Sequence, residues 1–422
     1  MSASRHPTLA RESSGGDPFG GSVQGGLTDA EDTEWALIHV SRPQPAGRAA
    51  LLWLIPGAIG AVAFLVGLGV APQRAWASLH LSSQYLVGLG LGGLYLIACY
   101  YLTSASWGVV VRRFHEAQAI LIAVGLVGVG LVLILRPSLF PWTSPDPAIE
   151  GFKRDWLNYP FMLGRSAVYA ACWVVFGHLL IRESRAQDHD GDARHAKRNI
   201  ALSAGFMVVF ALTCWLSSVD WLMSLDPLWY STIFGVYNYA GIFSSGVAAA
   251  ILLAQWARRR SAVRALVRDD HMQDLGKLLL TATTLWVYMW FCQYMLIWYA
   301  NIPEETARFV VRREGAWRSL FLINPVINWA IPFLLLLPRA TKRHGVFLAG
   351  IAVVVLLGRW IDLYLMIYPS VFRGDPLFGV WEVGVSLGAL GVAASASLWA
   401  LGRAPIVPLR DPRLAEGLAL HQ

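Results

Sequence analysis

Charge is what this sequence has least of. Asp, Glu, Lys and Arg make up 14% of its 422 residues while 56% are apolar, a balance that leaves a water-soluble globule short of polar surface. Cysteine is nearly as sparse. Cys99, Cys172, Cys214 and Cys292 lie far apart, with no Cys-x-x-Cys and no Cys-x-x-Cys-His, so the groupings required by iron–sulfur clusters and covalently attached haem are missing. They read as small apolar side chains. Only His178 falls deep inside an apolar run, whereas His80, His115 and His344 fall at run edges, so the facing histidine pair of a non-covalent haem is missing too. No metal site is expected. Residues 1–48 lack the short apolar core of a cleavable signal, and their polar, Gly- and Ser-rich composition predicts a disordered cytoplasmic tail. Within that tail, Trp35, Leu37 and Ile38 interleave with acids, which suits docking on a neighbouring surface as well as a flexible tail.

Apolar runs are what the sequence has in abundance. A bilayer core of about 30 Å needs about 20 residues per helical crossing. Runs of that size occur near 50–71, 84–107, 117–136, 161–181, 199–219, 232–256, 275–300, 319–337, 345–367 and 380–402. The fold class expected is therefore all-α, a polytopic membrane protein of about ten transmembrane helices spread over residues 49–403, with a short cytoplasmic tail at 404–422. The net charge of +7 is explained by topology. With ten crossings, 23 of the 34 Lys and Arg residues fall on the side of the termini and 10 on the other, with Arg359 inside a span. That bias places both termini in the cytoplasm by the positive-inside rule and removes any need for a nucleic-acid partner. The loops are too short to hold a soluble catalytic domain.

An internal echo suggests a repeat. The fifth run ends in Val219-Asp220 and, after six intervening residues, Pro227; the ninth ends in Ile361-Asp362 and, after six intervening residues, Pro369. The fourth and eighth open with Arg165-Ser166 and Arg318-Ser319. Spans within 84–230 and 232–370 would then be two copies of one bundle in the same orientation, although the remaining segments show no clear match and chance similarity stays open.

Polar groups inside apolar runs need a reason, because a charge in mid-membrane costs at least about 2.5–3.5 kcal/mol. Arg359 and Asp362 are three apart, on one helix face, in the outer third of the ninth run. They read either as a site on a proton or substrate pathway or as a neutralised packing pair. Asp220 holds the matching place in the fifth run; Asp226, just beyond it, reads as an ordinary exposed residue or cap. Gln293 lies too deep for an interface belt and requires a hydrogen-bond partner, while Glu304 and Glu305 at the exit of the same run could accept protons. His178 and Glu382 complete the proton-pathway candidates, each with an equally good packing explanation. Asn324 and Asn328 share a face between Pro325 and Pro332, where freed carbonyls could open the helix; with Tyr299 and Arg165 they are the cavity-lining candidates.

Two longer strings carry a family resemblance. The run Phe291-Cys292-Gln293-Tyr294-Met295-Leu296-Ile297-Trp298-Tyr299-Ala300-Asn301-Ile302-Pro303-Glu304-Glu305-Thr306, with Ser218-Val219-Asp220-Trp221-Leu222-Met223-Ser224-Leu225-Asp226-Pro227 and Tyr230-Ser231-Thr232, resembles the F subunits of bacterial alternative complex III, the second quinone-binding subunits of quinol:cytochrome c oxidoreductases. These belong to the NrfD-like, polysulfide-reductase-type membrane subunits. The resemblance implies ten helices with two four-helix bundles plus peripheral helices, in the bacterial inner membrane. It also implies a sister NrfD-like membrane subunit, a periplasmic iron–sulfur subunit and c-type cytochrome subunits as partners. No covalently bound cofactor is implied for this chain, and the candidate ligand is a quinone, menaquinone or ubiquinone. Its expected role is quinone-pocket surface, proton translocation or both, within quinol oxidation and electron transport; no catalytic residue is assigned, and the chain is not expected to be an enzyme alone. Two readings compete: a secondary transporter coupled through Arg359 and Asp362, and a purely structural anchor among membrane lipids.

Overall fold

The structure, a computed structural model, describes residues 29–43, 47–144, 149–372 and 374–419. Among them ten helices are long and apolar enough to cross a membrane: Gly47–Val70, Pro72–Leu102, Ser106–Leu135, Tyr159–Asp190, Ala193–Leu225, Phe234–Ala257, Asp269–Ala300, Trp317–Leu336, Gly345–Val371 and Val380–Leu401. No strand occurs among the described residues. The chain is an all-helical, multi-pass membrane protein. Residues 29–43 and 404–419 lie on one face, here the near face; the opposite one is the far face.

Local chemistry sets where the spans begin and end. Asn158 caps the fourth span by accepting from the Phe161 amide, and Pro160 occupies the first turn, where its missing N–H costs nothing. Gly191 closes that helix at φ +73°, a left-handed conformation suited to glycine. Asp192 then opens the fifth span by accepting from the Arg194 amide. The eighth span is not a regular α-helix: after Pro325 the chain makes a π-helical turn over Val326–Ala330 before resuming at Ile331, the opening its two prolines predict.

Two spans begin more than ten residues earlier than hydropathy suggests, the second at Pro72 and the third at Ser106. Several polar groups in these early turns find partners within the bundle. Ser78 Oγ lies 2.7 Å from Tyr368 Oη, and His80 Nε2 lies 2.8 Å from the Trp221 carbonyl oxygen. His80, expected at a span edge, is fully buried.

The second to fifth spans close a ring in which each packs on the next and the fifth returns to the second; the sixth to ninth spans close a second ring in the same order. The first and tenth spans pack together against the second, outside both rings. The rings join along the second and sixth spans, where Gly92 and Gly246 meet. A Cβ built on Gly92 would lie 2.8 Å from the Gly246 Cα, too close for any side chain. Gly60 and Gly388 serve the first and tenth spans likewise, with a Gly60 Cβ only 2.4 Å from the Gly388 Cα.

Part of the expected N-terminal tail is helical. Asp29–Val40 packs on the near-face helix Ser261–Leu266, burying Ala36 and Val40, four apart on one face, while Arg268 Nη2 donates to Thr33 Oγ1 at 3.2 Å. Residues 1–28 and 44–46 of that tail lie outside the described residues. Residues 404–419 also pack down: Ile406, Val407, Leu414 and Leu418 are buried, and the Gly417 carbonyl oxygen lies 3.0 Å from His271 Nε2.

Candidate functional site

The ninth span carries a charge pair into the middle of the second ring. Arg359 and Asp362 are both buried, and Arg359 Nη1 donates to Asp362 Oδ2 at 2.8 Å. Three other spans also donate to the carboxylate: Tyr237 through its hydroxyl, Trp286 Nε1 at 3.2 Å and Asn324 Nδ2 at 3.2 Å. Every neighbour is a donor, so the site is built around negative charge. Arg359 Nη2 in turn donates to Asn238 Oδ1, Asn238 Nδ2 to Ser218 Oγ at 2.8 Å, and Ser218 Oγ to the Cys214 carbonyl at 2.6 Å. This chain of bonds crosses from the second ring into the first. Asn328 donates to Asn324 Oδ1 at 2.8 Å and to its carbonyl oxygen at 3.1 Å, which orients the Asn324 amide toward Asp362.

Asp220 forms the corresponding site in the first ring and is wholly buried. Arg165 binds it through Nε at 2.9 Å and Nη2 at 2.8 Å, a two-pronged pair; Trp156 Nε1 donates at 3.0 Å and Tyr169 Oη at 2.9 Å. The guanidinium lies over Trp156 and Phe161, 4.0 and 4.3 Å from the ring centres. Arg165, expected to line a cavity, is thus committed to a buried ion pair.

Asp226 requires a correction. Instead of standing exposed, it is largely buried and joins Arg308, with Arg312 Nη2 at 3.6 Å and Ser370 Oγ donating at 2.7 Å. Burial opposes its ionisation, but the two arginines and the serine outweigh that and hold its pKa below the usual carboxylate value. Burial, and for Arg312 the adjacent Arg308 charge, lowers the pKa of both arginines. The short far-face helix Pro303–Arg313 is clamped to the bundle in this way.

The other expected site residues scatter. Gln293 is buried and finds the partner it needs, donating to Ser231 Oγ at 3.1 Å. Glu304 and Glu305, in the first turn of the helix Pro303–Arg313, make no hydrogen bond with either carboxylate site, and Glu304 is exposed. Tyr299 lines no cavity, being 83% exposed at its helix end, where the aromatic belt reading applies. Glu382 is buried and takes two bonds from Arg74, at 2.8 and 2.6 Å, stapling the tenth span to the second. His178 lies within the fourth span, exposed on the wall of a cavity shared with the third and tenth spans, and joins neither carboxylate site.

Two voids border the carboxylate sites. A small one of about 40 Å³, room for water, has Gln293, Arg308, Arg312, Asn324 and Asp362 in its wall among aromatic and aliphatic side chains such as Trp290, Phe309 and Phe321. A larger, predominantly apolar far-face cavity of about 470 Å³ is walled by Trp156, Leu216, Trp215, Trp229 and Tyr230, with Lys153, Ser224, Asp226, Ser231 and Thr232 as polar residues. Burial lowers the Lys153 pKa, and the ammonium lies 5.6 Å from the Tyr230 ring centre.

One charged cluster escapes the sequence reading. In the near-face half of the third span, Arg112 and Arg113 are buried with Glu116, which also accepts from Ser184 Oγ at 2.6 Å. Arg113 also pairs with Asp188, and Arg112 Nη1 with Asp411 Oδ2 at 2.9 Å. The detectable signal is the three- and four-residue spacing of Arg113 and Arg112 to Glu116, which puts all three on one helix face. Among the described residues no group of three His, Cys, Asp or Glu converges as a metal site. Comparison with protein-family models and with curated proteins finds no match for this chain.

Proposed function

We propose that this chain is a membrane subunit of a bacterial quinol:cytochrome c, or quinol:acceptor, oxidoreductase of the alternative complex III type. It would carry no redox cofactor of its own and contribute quinone-pocket surface and proton handling. The resemblance of the 291–306 and 218–232 strings motivates this reading, and one structural observation supports it above others. The apolar far-face cavity is linked through side-chain hydrogen bonds to the Asp220 site and toward the Asp362 site: its Trp156 donates to Asp220, and its Ser231 accepts from Gln293, which lines the small void beside Asp362.

A quinone head fits such a cavity, since it asks for apolar walls and one or two hydrogen-bonding groups. Lys153 and Ser231 would supply those groups, and Trp215, Trp229 and Tyr230 would exclude water. Oxidation of a bound quinol supplies two electrons and two protons. In this reading electrons leave through partner subunits: a sister NrfD-like membrane subunit, a periplasmic iron–sulfur subunit and c-type cytochromes. Gln293 and the water-sized void beside Asp362 would take up protons on the far, periplasmic face, and Arg359, Asn238 and Ser218 would extend the polar route toward the other ring. The near face, richer in Lys and Arg, would be cytoplasmic.

The test is extraction from native membranes in mild detergent, followed by identification of partners and assay of the complex. Haem c and iron–sulfur proteins should co-purify, and a short-chain quinone analogue should quench the tryptophan fluorescence of the complex less when Trp229 is replaced by Leu. Asp362→Asn should lower proton release per quinol oxidised. If Asp362→Asn leaves both quinol oxidation and proton release unchanged, the chain is a structural anchor. Substrate flux in proteoliposomes holding only this chain would instead establish a transporter.

A further inference from the structure

A further cavity lies elsewhere, on the near face. About 560 Å³ in volume, it sits among the third, fourth and tenth spans. Its deeper wall is apolar, formed by Ile120, Ile122, Ala123, Val174 and Ile181, and its rim carries Arg182, Arg185 and Arg403 beside His178. Arg182 and Arg185 lie in the last third of the fourth span, and Arg403 follows the end of the tenth span at Leu401, so the rim sits at headgroup level.

These arginines lack the carboxylate partner that the buried arginines of the bundle have. Arg112, Arg113, Arg165, Arg308 and Arg359 each pair with a carboxylate, but none of the three rim arginines forms an ion pair with a described residue. The one carboxylate in the wall, Glu116, is already bound by Arg112, Arg113 and Ser184. Arg185 Nε is buried without a hydrogen-bond partner, and the Arg403 guanidinium lies 3.7 Å from the Trp399 ring centre. Three guanidinium groups around one cavity at a membrane boundary call for an anion, and their planar donor forks match phosphate oxygens.

We propose that this cavity binds an anionic phospholipid of the near-face leaflet, its phosphate held by Arg182, Arg185 and Arg403 and an acyl chain lying along the Ile120 to Ile181 wall. The apolar wall decides for a lipid over a soluble phosphate, which would leave it uncovered. Basic pockets between transmembrane helices are an established setting for anionic headgroups.

The experiment is native mass spectrometry of the detergent-purified protein, in whatever complex it is isolated, titrated with phosphatidylglycerol, phosphatidylcholine or inorganic phosphate. Wild type should retain phosphatidylglycerol well above phosphatidylcholine. Because Arg182 and Arg403 are exposed, R182Q/R403Q should fold normally. It should lose affinity roughly tenfold or more, the equivalent of one charge-assisted hydrogen bond at about 1.4 kcal/mol per tenfold. R182K/R403K, which keeps the charge, should bind between the two. Equal retention of both lipids, undiminished binding by R182Q/R403Q, or displacement of the lipid by millimolar inorganic phosphate would each overturn the proposal.

Discussion

The Arg165–Asp220 pair offers the clearest quantitative test of how this bundle tolerates charge. Asp220 is fully buried and holds four hydrogen bonds from three side chains, two of them from Arg165. Asp220→Asn keeps the shape but leaves the guanidinium, whose side chain is only 10% exposed, facing a neutral amide. Removing one partner of a buried pair costs about 3–5 kcal/mol. The amide oxygen that replaces the carboxylate still accepts one hydrogen bond from the guanidinium, which offsets about 1–2 kcal/mol of that. A net loss of about 2–3 kcal/mol is therefore expected. Arg165→Leu has no such offset, because the stranded carboxylate keeps only Trp156 and Tyr169 as donors, and about 3–5 kcal/mol is expected.

The double variant Arg165→Leu/Asp220→Leu removes both charges and replaces them with apolar groups, an exchange that is often close to neutral. It should be more stable than either single variant, giving a coupling energy of at least about 2 kcal/mol. Equilibrium unfolding of the detergent-solubilised protein, followed by tryptophan fluorescence, measures the four corners of the cycle: wild type, Arg165→Leu, Asp220→Leu and the double variant. Single variants within about 1 kcal/mol of wild type, or a double variant as unstable as the sum of the singles, would refute the reasoning.

Three further outcomes follow from the structure. The Asp226 clamp is pH-dependent: its folded pKa lies below the unfolded value of about 3.9, so its stabilisation is complete above that pH and disappears as pH falls through the folded pKa. Proteolysis of the 301–316 segment should therefore rise below about pH 4 in wild type and be insensitive to acid in Asp226→Asn, where the clamp is already lost. Gly92→Ala should destabilise the protein and separate the two rings, because its Cβ would stand 2.5 Å from the Ile242 carbonyl oxygen; Gly130→Ala, with nothing within 4 Å, is the control, and both are read by thermal unfolding. Replacing Glu304 and Glu305 together by Gln should leave quinol oxidation by the purified complex unchanged, because neither carboxylate joins a buried site; a loss comparable to that of Asp362→Asn would contradict this.

The ten spans were legible because a bilayer imposes a length and a composition that any sequence can be checked against. Their starts were less legible. Hydropathy began the third span at residue 117 because Arg112, Arg113 and Glu116 look like loop residues, yet each is buried by a partner from a distant segment, Asp188 or Asp411 among them. Pairing of that kind depends on tertiary packing, which no local window contains. The same limit explains Asp226: it sits in a loop by sequence, and only the fold brings Arg308 and Ser370 to it. Buried residues inside apolar runs, Asp220, Gln293, Arg359, Asp362 and Asn324, were found because their cost in lipid is visible without any partner. Tyr299 and Glu304 stand exposed at a helix exit, and sequence alone carries no sign of whether a residue there faces protein or solvent.

The Asp-to-Pro echo located two of the buried carboxylates, Asp220 and Asp362, but the arginines that meet them come from different places, and this difference separates their roles. Arg318, at the position echoing Arg165, is exposed and takes no part. In the first ring the cation reaches Asp220 from the neighbouring span, so the ion pair ties two helices together. In the second ring Arg359 is on the same helix as Asp362, so the pair holds no two spans together by itself. The other donors to Asp362 are neutral side chains from three spans, and a void large enough for water lies alongside. A carboxylate whose countercharge moves with it and whose remaining partners are neutral can change its bonds without parting an ion pair between helices. Asp220→Asn should accordingly cost more stability than Asp362→Asn, while Asp362→Asn should cost more proton release. Finding both losses at the same residue would show that the two sites are equivalent and that the different origin of their arginines has no consequence.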